Sequence, residues 1–148
     1  QRECTCTDGE IRRYGQKISG PLLDRIDLHV SVMRPKYSEL TATIQGEPSC
    51  DIAKRVAEAR AVQAERLSRW HMQSNAQMGH RQLKETCQLD AEGTEMLRVV
   101  FEKLHLSARS YDRIIKVART IADLAGSDQI RPEHVAEAIS FRNMINGK

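Results

Sequence analysis

Aromatic side chains are scarce in this sequence: two phenylalanines, one tryptophan and three tyrosines make up 4% of 148 residues. An interior built on stacked rings is therefore excluded. With 40% hydrophobic residues, the core must be aliphatic, drawn from Leu, Ile, Val and Ala, a composition that leans towards helices. Long apolar runs are lacking too, so no segment reaches the roughly 20 residues of a bilayer-spanning helix. No basic region followed by a short apolar one opens the chain. The cysteines Cys4, Cys6, Cys50 and Cys87 are too few and too scattered for a disulfide framework. A soluble cytoplasmic protein with no membrane partner is the expectation. Charge of one sign is also missing: 23 Lys and Arg against 20 Asp and Glu leave a net charge of +3, which permits an anionic partner without demanding one.

What is present suits one domain, or a small domain with an appendage, long enough to bury a core without staples. The opening "QRECTCTDGE" has no start methionine and reads as cut from something longer. Thr7 and Glu10 have the spacing of a capping box, with Cys6 and Ile11 as its staple, and predict a short helix to about residue 17. Ser19-Gly20-Pro21 ends it. Ile26, Leu28, Val30 and Val32 then alternate with Asp27, His29 and Ser31, the pattern of a half-buried strand whose partners must lie elsewhere. Residues 33–48, punctuated by Pro35, Gly46 and Pro48, read as a linker or mobile loop.

From Ser49 the pattern is helical. Ser49 is placed to cap a helix with apolar positions Ala53, Val56, Ala57, Ala61, Ala64 and Leu67. After the polar break "HMQSNAQMGH", a short helix is predicted around 81–87. Asp90 caps a third helix to about Leu104, and Ser107 a fourth, with Leu106 and Tyr111 in staple positions and Gly126 as its C-terminal glycine. Pro132 opens a last helix to about Met144. The fold class is thus mainly α: a compact helical bundle preceded by a remnant, a short helix and an orphan strand, of an α/β domain.

Few residues carry chemistry openly. At about 100° per residue, the Ser107 helix gathers Tyr111, Ile114, Ile115, Ala118, Ile121, Ala122 and Ala125 on one side. Arg109, Arg113, Lys116 and Thr120 fall on the other, with Arg119 at the flank. A solvated basic face is the ordinary reading of such a stripe. Arg109 resists it, because a cation in the first helical turn is disfavoured by the macrodipole by roughly 0.3–1 kcal/mol. Beside free amide donors, it suits a site that receives phosphate. Cys4-x-Cys6 is closer than the usual structural zinc spacing, and His71, His80 and His105 offer no matching pair, so no metal site is assigned. His29, on the polar face of the predicted strand, reads as a surface histidine. No nucleophile–base arrangement stands out, and there is no G-x-x-x-x-G-K-[ST] loop to grip a nucleotide.

Three stretches in order, "ISGPLLDRIDLHV", "CQLD" and "LSARSYDRIIKVARTIADLAGSDQIRPEHVAEAI", resemble the C-terminal half of the magnesium-chelatase-like AAA+ ATPases, most closely the ComM (YifB) branch. The resemblance implies that residues 1–46 are the end of the ATPase core, expected to be poorly ordered in isolation, and that 47–148 are the helical lid. It implies that Arg25, in the L-L-D-R-[IF]-D-L segment, is the arginine finger that reaches a neighbouring subunit's ATP, and that Arg109, opening S-A-R, is the sensor-2 residue. Arg113 is a second nucleotide-binding candidate, and Lys116 and Arg119 are candidates for nucleic-acid contact. The implied cofactors are ATP and Mg in the full-length protein, with none bound to this chain alone, which is not expected to hydrolyse ATP. The implied partners are neighbouring subunits of a homo-oligomeric ring and DNA, remodelled in branch migration during transformation or recombination. Two alternatives stand beside this: an ATPase subunit of a magnesium-porphyrin chelatase, and a free-standing helical module that grips DNA with Arg109, Arg113 and Lys116.

Overall fold

The structure, a computed structural model, describes residues 5–18, 20–37 and 46–142. Thr7 opens helix α1 (Asp8–Gly15) through the reciprocal cap that the spacing predicts. Its hydroxyl oxygen accepts from the Glu10 amide at 3.4 Å, and Glu10 Oε2 accepts from the Thr7 amide at 2.8 Å. The helix buries no residue, so this cap rather than packing defines its start. A single helical turn, α2 (Gly20–Leu23), follows.

The alternation after Arg25 does not become a strand, and that expectation is corrected. Ile26, Leu28, Val30 and Val32 are all exposed, and among the described residues the only bridge is an isolated parallel one between Leu89 and Ile130. Alternating residues supply an apolar face but no hydrogen-bond partners, and no second described segment lies alongside to complete a ladder.

The helical part follows the sequence closely. α3 (Ser49–Leu67) runs into a 3₁₀ turn, Ser68–Trp70, and a second 3₁₀ turn, Asn75–Gln77, lies within the predicted polar break. Next come α4 (His80–Thr86), α5 (Ala91–Lys103), α6 (Ala108–Leu124) and α7 (Pro132–Ser140). Asp90 caps α5 by accepting from the Gly93 amide at 2.7 Å, and Ser107 caps α6 by accepting from the Ser110 amide at 3.1 Å. At the end of α6, Gly126 takes φ +66°, its amide bonds Asp123 O, and the Ser127 amide bonds Ala122 O, which together make a Schellman ending. Pro132 sits in the first turn of α7. The predicted end of this helix near Met144 lies outside the described residues, as does Cys4.

α3 differs from expectation in two ways. Its cap position is Pro48, with Ser49 already the first helical residue, and its buried face is Ala59, Gln63 and Leu67. Ile52, Val56 and Val62 remain more than 40% exposed. An alanine-rich helix has little hydrophobic contrast between its faces, so polar partners decide which side turns in. The aliphatic core gathers Leu67, Met78, Leu83, Leu97, Ile114, Ala118, Ala122, Ile130 and Val135, with α6 as the central helix. On α6 the predicted stripe is buried or half-buried apart from the exposed Ala125, and three polar residues outside it, Ser110, Arg119 and Asp123, are buried as well.

Candidate functional site

Two polar assemblies are built on α6, one at its exposed start and one at its buried end. At the start, Ser107 and Ser110 lie three residues apart on the first turn. Ser107 Oγ donates to Asp24 Oδ2 at 3.0 Å, and Ser110 Oγ donates to Asp24 Oδ1 at 2.9 Å. The carboxylate of Asp24 thus stands at the positive end of the helix, where an anion is favoured. The anionic place that the sequence suggested for a phosphate is filled at these two hydroxyls by a side chain of the same protein.

One turn further along α6, Arg113 Nη1 donates to the backbone carbonyl of Arg25 and to Asp27 Oδ1. Arg142, just past α7, donates from Nη1 to Ile26 O at 2.5 Å and from Nη2 to Ser110 Oγ at 2.8 Å. The His29 amide donates to Phe141 O at 2.9 Å. The segment around Arg25 is therefore pinned to α6 and to the turn after α7 by its neighbours. The side chains of Arg25 and Arg109 are exposed, and neither has a hydrogen bond or ion pair among the described residues. Burial pulls the Arg142 guanidinium below its ordinary pKa, Asp24 and Asp27 act in the opposite direction, and Arg113 adds to the lowering.

Arg113 and Lys116 also border a groove of about 430 Å³ whose apolar wall includes Leu28, Val117, Ile121, Leu124 and Phe141. Lys116 Nζ donates to Ala76 O at 3.2 Å. His29 is not a surface histidine, and that expectation is corrected. Its ring nitrogens are both buried and have no hydrogen-bond partner. With no strand to place it on a polar face, the residue turns inward as its backbone docks on Phe141.

Arg119 needs the larger correction. It is 2% exposed, so it presents no guanidinium for nucleic acid to reach. Nε donates to Asp123 Oδ1 at 3.0 Å, Nη1 to Asp128 O at 2.9 Å and Nη2 to Ser127 O at 2.5 Å. The reversal of the chain at Gly126 folds the 127–128 carbonyls back over the helix, and Arg119 is the donor that satisfies them. Asp123 also accepts from both Nη atoms of Arg66, at 2.8 and 2.7 Å, and from Asn75 Nδ2 at 2.8 Å. Asn75 is itself tied to Gln63 through its amide and to Thr120 through Nδ2. This network is what selects the inward face of α3. Cys87 lies close to it, and burial, the largest influence, raises its thiol pKa.

The structure thus brings Arg25, through its backbone, together with Arg113, leaves Arg109 exposed in the same first turn as Ser107 and Ser110, and removes Arg119 to the interior. Sequence reasoning missed Asp24, Asp27, Ser110 and Arg142. The two aspartates flanking Arg25 were a readable signal, a cation bracketed by anions. Arg142 gave none, because it acts across 116 residues of separation.

Comparison with known proteins bears on what such an arrangement belongs to. A family model described as magnesium chelatase, subunit ChlI C-terminal, matches residues 46–142, and one described as magnesium chelatase, subunit ChlI, matches residues 1–40. The competence protein ComM of Haemophilus influenzae is 38% identical over 137 residues, which is 92% of this chain and 26% of that protein. YifB of Escherichia coli is 37% identical over 138 residues, 93% of this chain and 26% of that protein. An uncharacterized protein of Mycobacterium tuberculosis is 36% identical over 141 residues, 95% of this chain and 28% of its own length. The chain spans about a quarter of the length of these relatives. It belongs to the magnesium chelatase ChlI family, in the branch of ComM and YifB.

Proposed function

We propose that this chain is the end of the core and the helical lid of a ring-forming AAA+ ATPase that couples ATP hydrolysis to the remodelling of DNA. In this reading Arg25 is the arginine finger and Arg109 is sensor 2. The observation that carries it is the mounting of Arg25. Its backbone is fixed on both sides, by its amide to Leu22 O at 3.0 Å and by its carbonyl to Arg113, while its side chain is exposed and has no hydrogen bond or ion pair among the described residues. A cation held by a rigid base and left without an internal partner is suited to a phosphate on another molecule.

The fit to ATP is limited to these arginines. Bound ATP, with its magnesium, supplies the phosphoryl group whose transfer drives mechanical work. This chain has no phosphate loop of the G-x-x-x-x-G-K-[ST] type. Among the described residues it has no cluster of His, Cys, Asp or Glu able to hold a metal ion. Arg25 and Arg109 are the groups that would face phosphate oxygens, Arg25 offering charge where it develops during transfer and Arg109 orienting the lid towards the nucleotide. The remaining grip belongs to other parts of the protein. The name of the Haemophilus relative, a competence protein, supports DNA over a porphyrin as the substrate. The free-standing DNA-binding module draws little support, since Arg119 is buried, Arg113 faces Asp27, and Lys116 is engaged with a carbonyl.

Arg25→Ala in the full-length protein is the test. The expected outcome is loss of ATP turnover by about 10³-fold or more, the scale of an arginine finger, with nucleotide binding retained in a fluorescence titration. Turnover at the native rate in that variant overturns the assignment.

A further inference from the structure

The Arg25 segment is tied to the bundle almost residue by residue. Asp24 takes two hydroxyl hydrogen bonds, the carbonyls of Arg25 and Ile26 take one guanidinium each, Asp27 pairs with Arg113, and the His29 amide reaches Phe141 O. The carbonyls of residues 25 and 26, which a sheet ladder would otherwise satisfy, are held instead by two arginines from different elements. Arg113 comes from α6 and Arg142 from the turn after α7. Ser110 joins the two halves, donating to Asp24 while accepting from Arg142. Ser110 is 1% exposed, so the hydroxyl that joins the two halves is itself kept from water, in surroundings where an unpaired polar group is costly. The charges balance locally, Asp24 and Asp27 against Arg113 and Arg142.

We propose that Arg113 and Arg142 form a clamp that positions the Arg25 guanidinium, with Arg142 as a positioning residue that acts through Ile26 O and Ser110. The clamp rests on the reading of Arg25 as a finger, and it makes the lid helices α6 and α7 the base on which that finger is mounted. A shift of α7 relative to α6 separates Arg142 from Ser110 or from Ile26 and releases the segment, so finger position follows lid packing. A neutral or shorter side chain at 142 leaves two acceptors, Ile26 O and Ser110 Oγ, with nothing to span them.

Amide hydrogen exchange on this chain tests the clamp directly. In Arg142→Ala, the His29 amide is expected to exchange roughly tenfold faster, the loss of about one charge-assisted hydrogen bond, while the Ile114 and Ile115 amides in the core exchange as before. Arg142→Lys, a single point donor, does not restore protection. Ser110→Ala, which deletes one hydroxyl from a buried position, gives the same local effect should Arg142→Ala lose the fold. Unchanged His29 exchange in both Arg142→Ala and Ser110→Ala overturns the clamp. In the full-length protein, Arg142→Ala lowers kcat for ATP by about tenfold with KM unchanged, the split expected of a lost transition-state contact. Faster His29 exchange with native kcat overturns the positioning role. Native turnover in Arg25→Ala overturns the finger reading alone and leaves the exchange result standing.

Discussion

Asp123 receives four donors, two from Arg66, one from Arg119 and one from Asn75, and its side chain is fully buried. Such a pairing is stable only while both signs are present. Asp123→Ala leaves Arg119, 2% exposed, without its counter-charge. The expected cost is about 3–5 kcal/mol, read as a lower denaturant midpoint with little change of slope. Cys87 makes a second residue-scale prediction. It is buried and burial holds its thiol above the ordinary pKa, whereas Cys50 is exposed. Alkylation of the native chain at neutral pH should modify Cys50 quickly and Cys87 only on unfolding, by intact-mass analysis after timed quenching. Early modification of Cys87 contradicts its placement. Arg119 shows where single-residue reading stops. Its i,i+4 relation to Asp123 was visible, but the basic stripe drew it to the surface. Only the reversal at Gly126 shows that carbonyls wait for it.

At the scale of elements, caps and breakers were the most legible features. Thr7, Asp90, Ser107, Gly126 and Pro132 each act locally, within four residues, and each does in the structure what its chemistry predicts. Faces were legible where hydrophobic contrast is strong, as on α6. They were not on α3, where alanines surround the helix and the Arg66–Asp123 pair, 57 residues apart, decides. The failed strand has the same origin: alternation states a face, and a ladder needs a neighbour. Helix α1 yields a pH prediction. Its Glu10 carboxyl is held below the ordinary range chiefly by the Thr7 amide, then by the Thr7 hydroxyl. A carboxylate depressed on folding adds stability above its unfolded pKa and loses it as pH falls through the folded value. Acidification through and below the usual carboxylate range should therefore fray α1 before the bundle. The check is backbone NMR of the Thr7 amide, with Glu10→Gln as the variant that removes the pH dependence. A Thr7 resonance unchanged down to about pH 2, below the ordinary Glu pKa of about 4.3, contradicts the cap.

For the whole molecule, the bundle is a base and the Arg25 segment is what it carries. Helix α6 supplies both functions, its aliphatic face closing the core and its first turns gripping residues 24–27. The family resemblance located Arg25 and Arg109, but the holders were not readable: Asp24, Ser110 and Arg142 meet only because α6 and α7 fold together. The central claim, that Arg25 acts on a neighbouring subunit, is tested most directly by mixing two inactive forms of the full-length protein. One carries Arg25→Ala and keeps its nucleotide site; the other has a disabled phosphate loop and keeps its finger. A finger acting across the subunit boundary predicts that the mixture hydrolyses ATP although neither form does so alone. A mixture as inactive as its components, in rings shown to contain both, contradicts it.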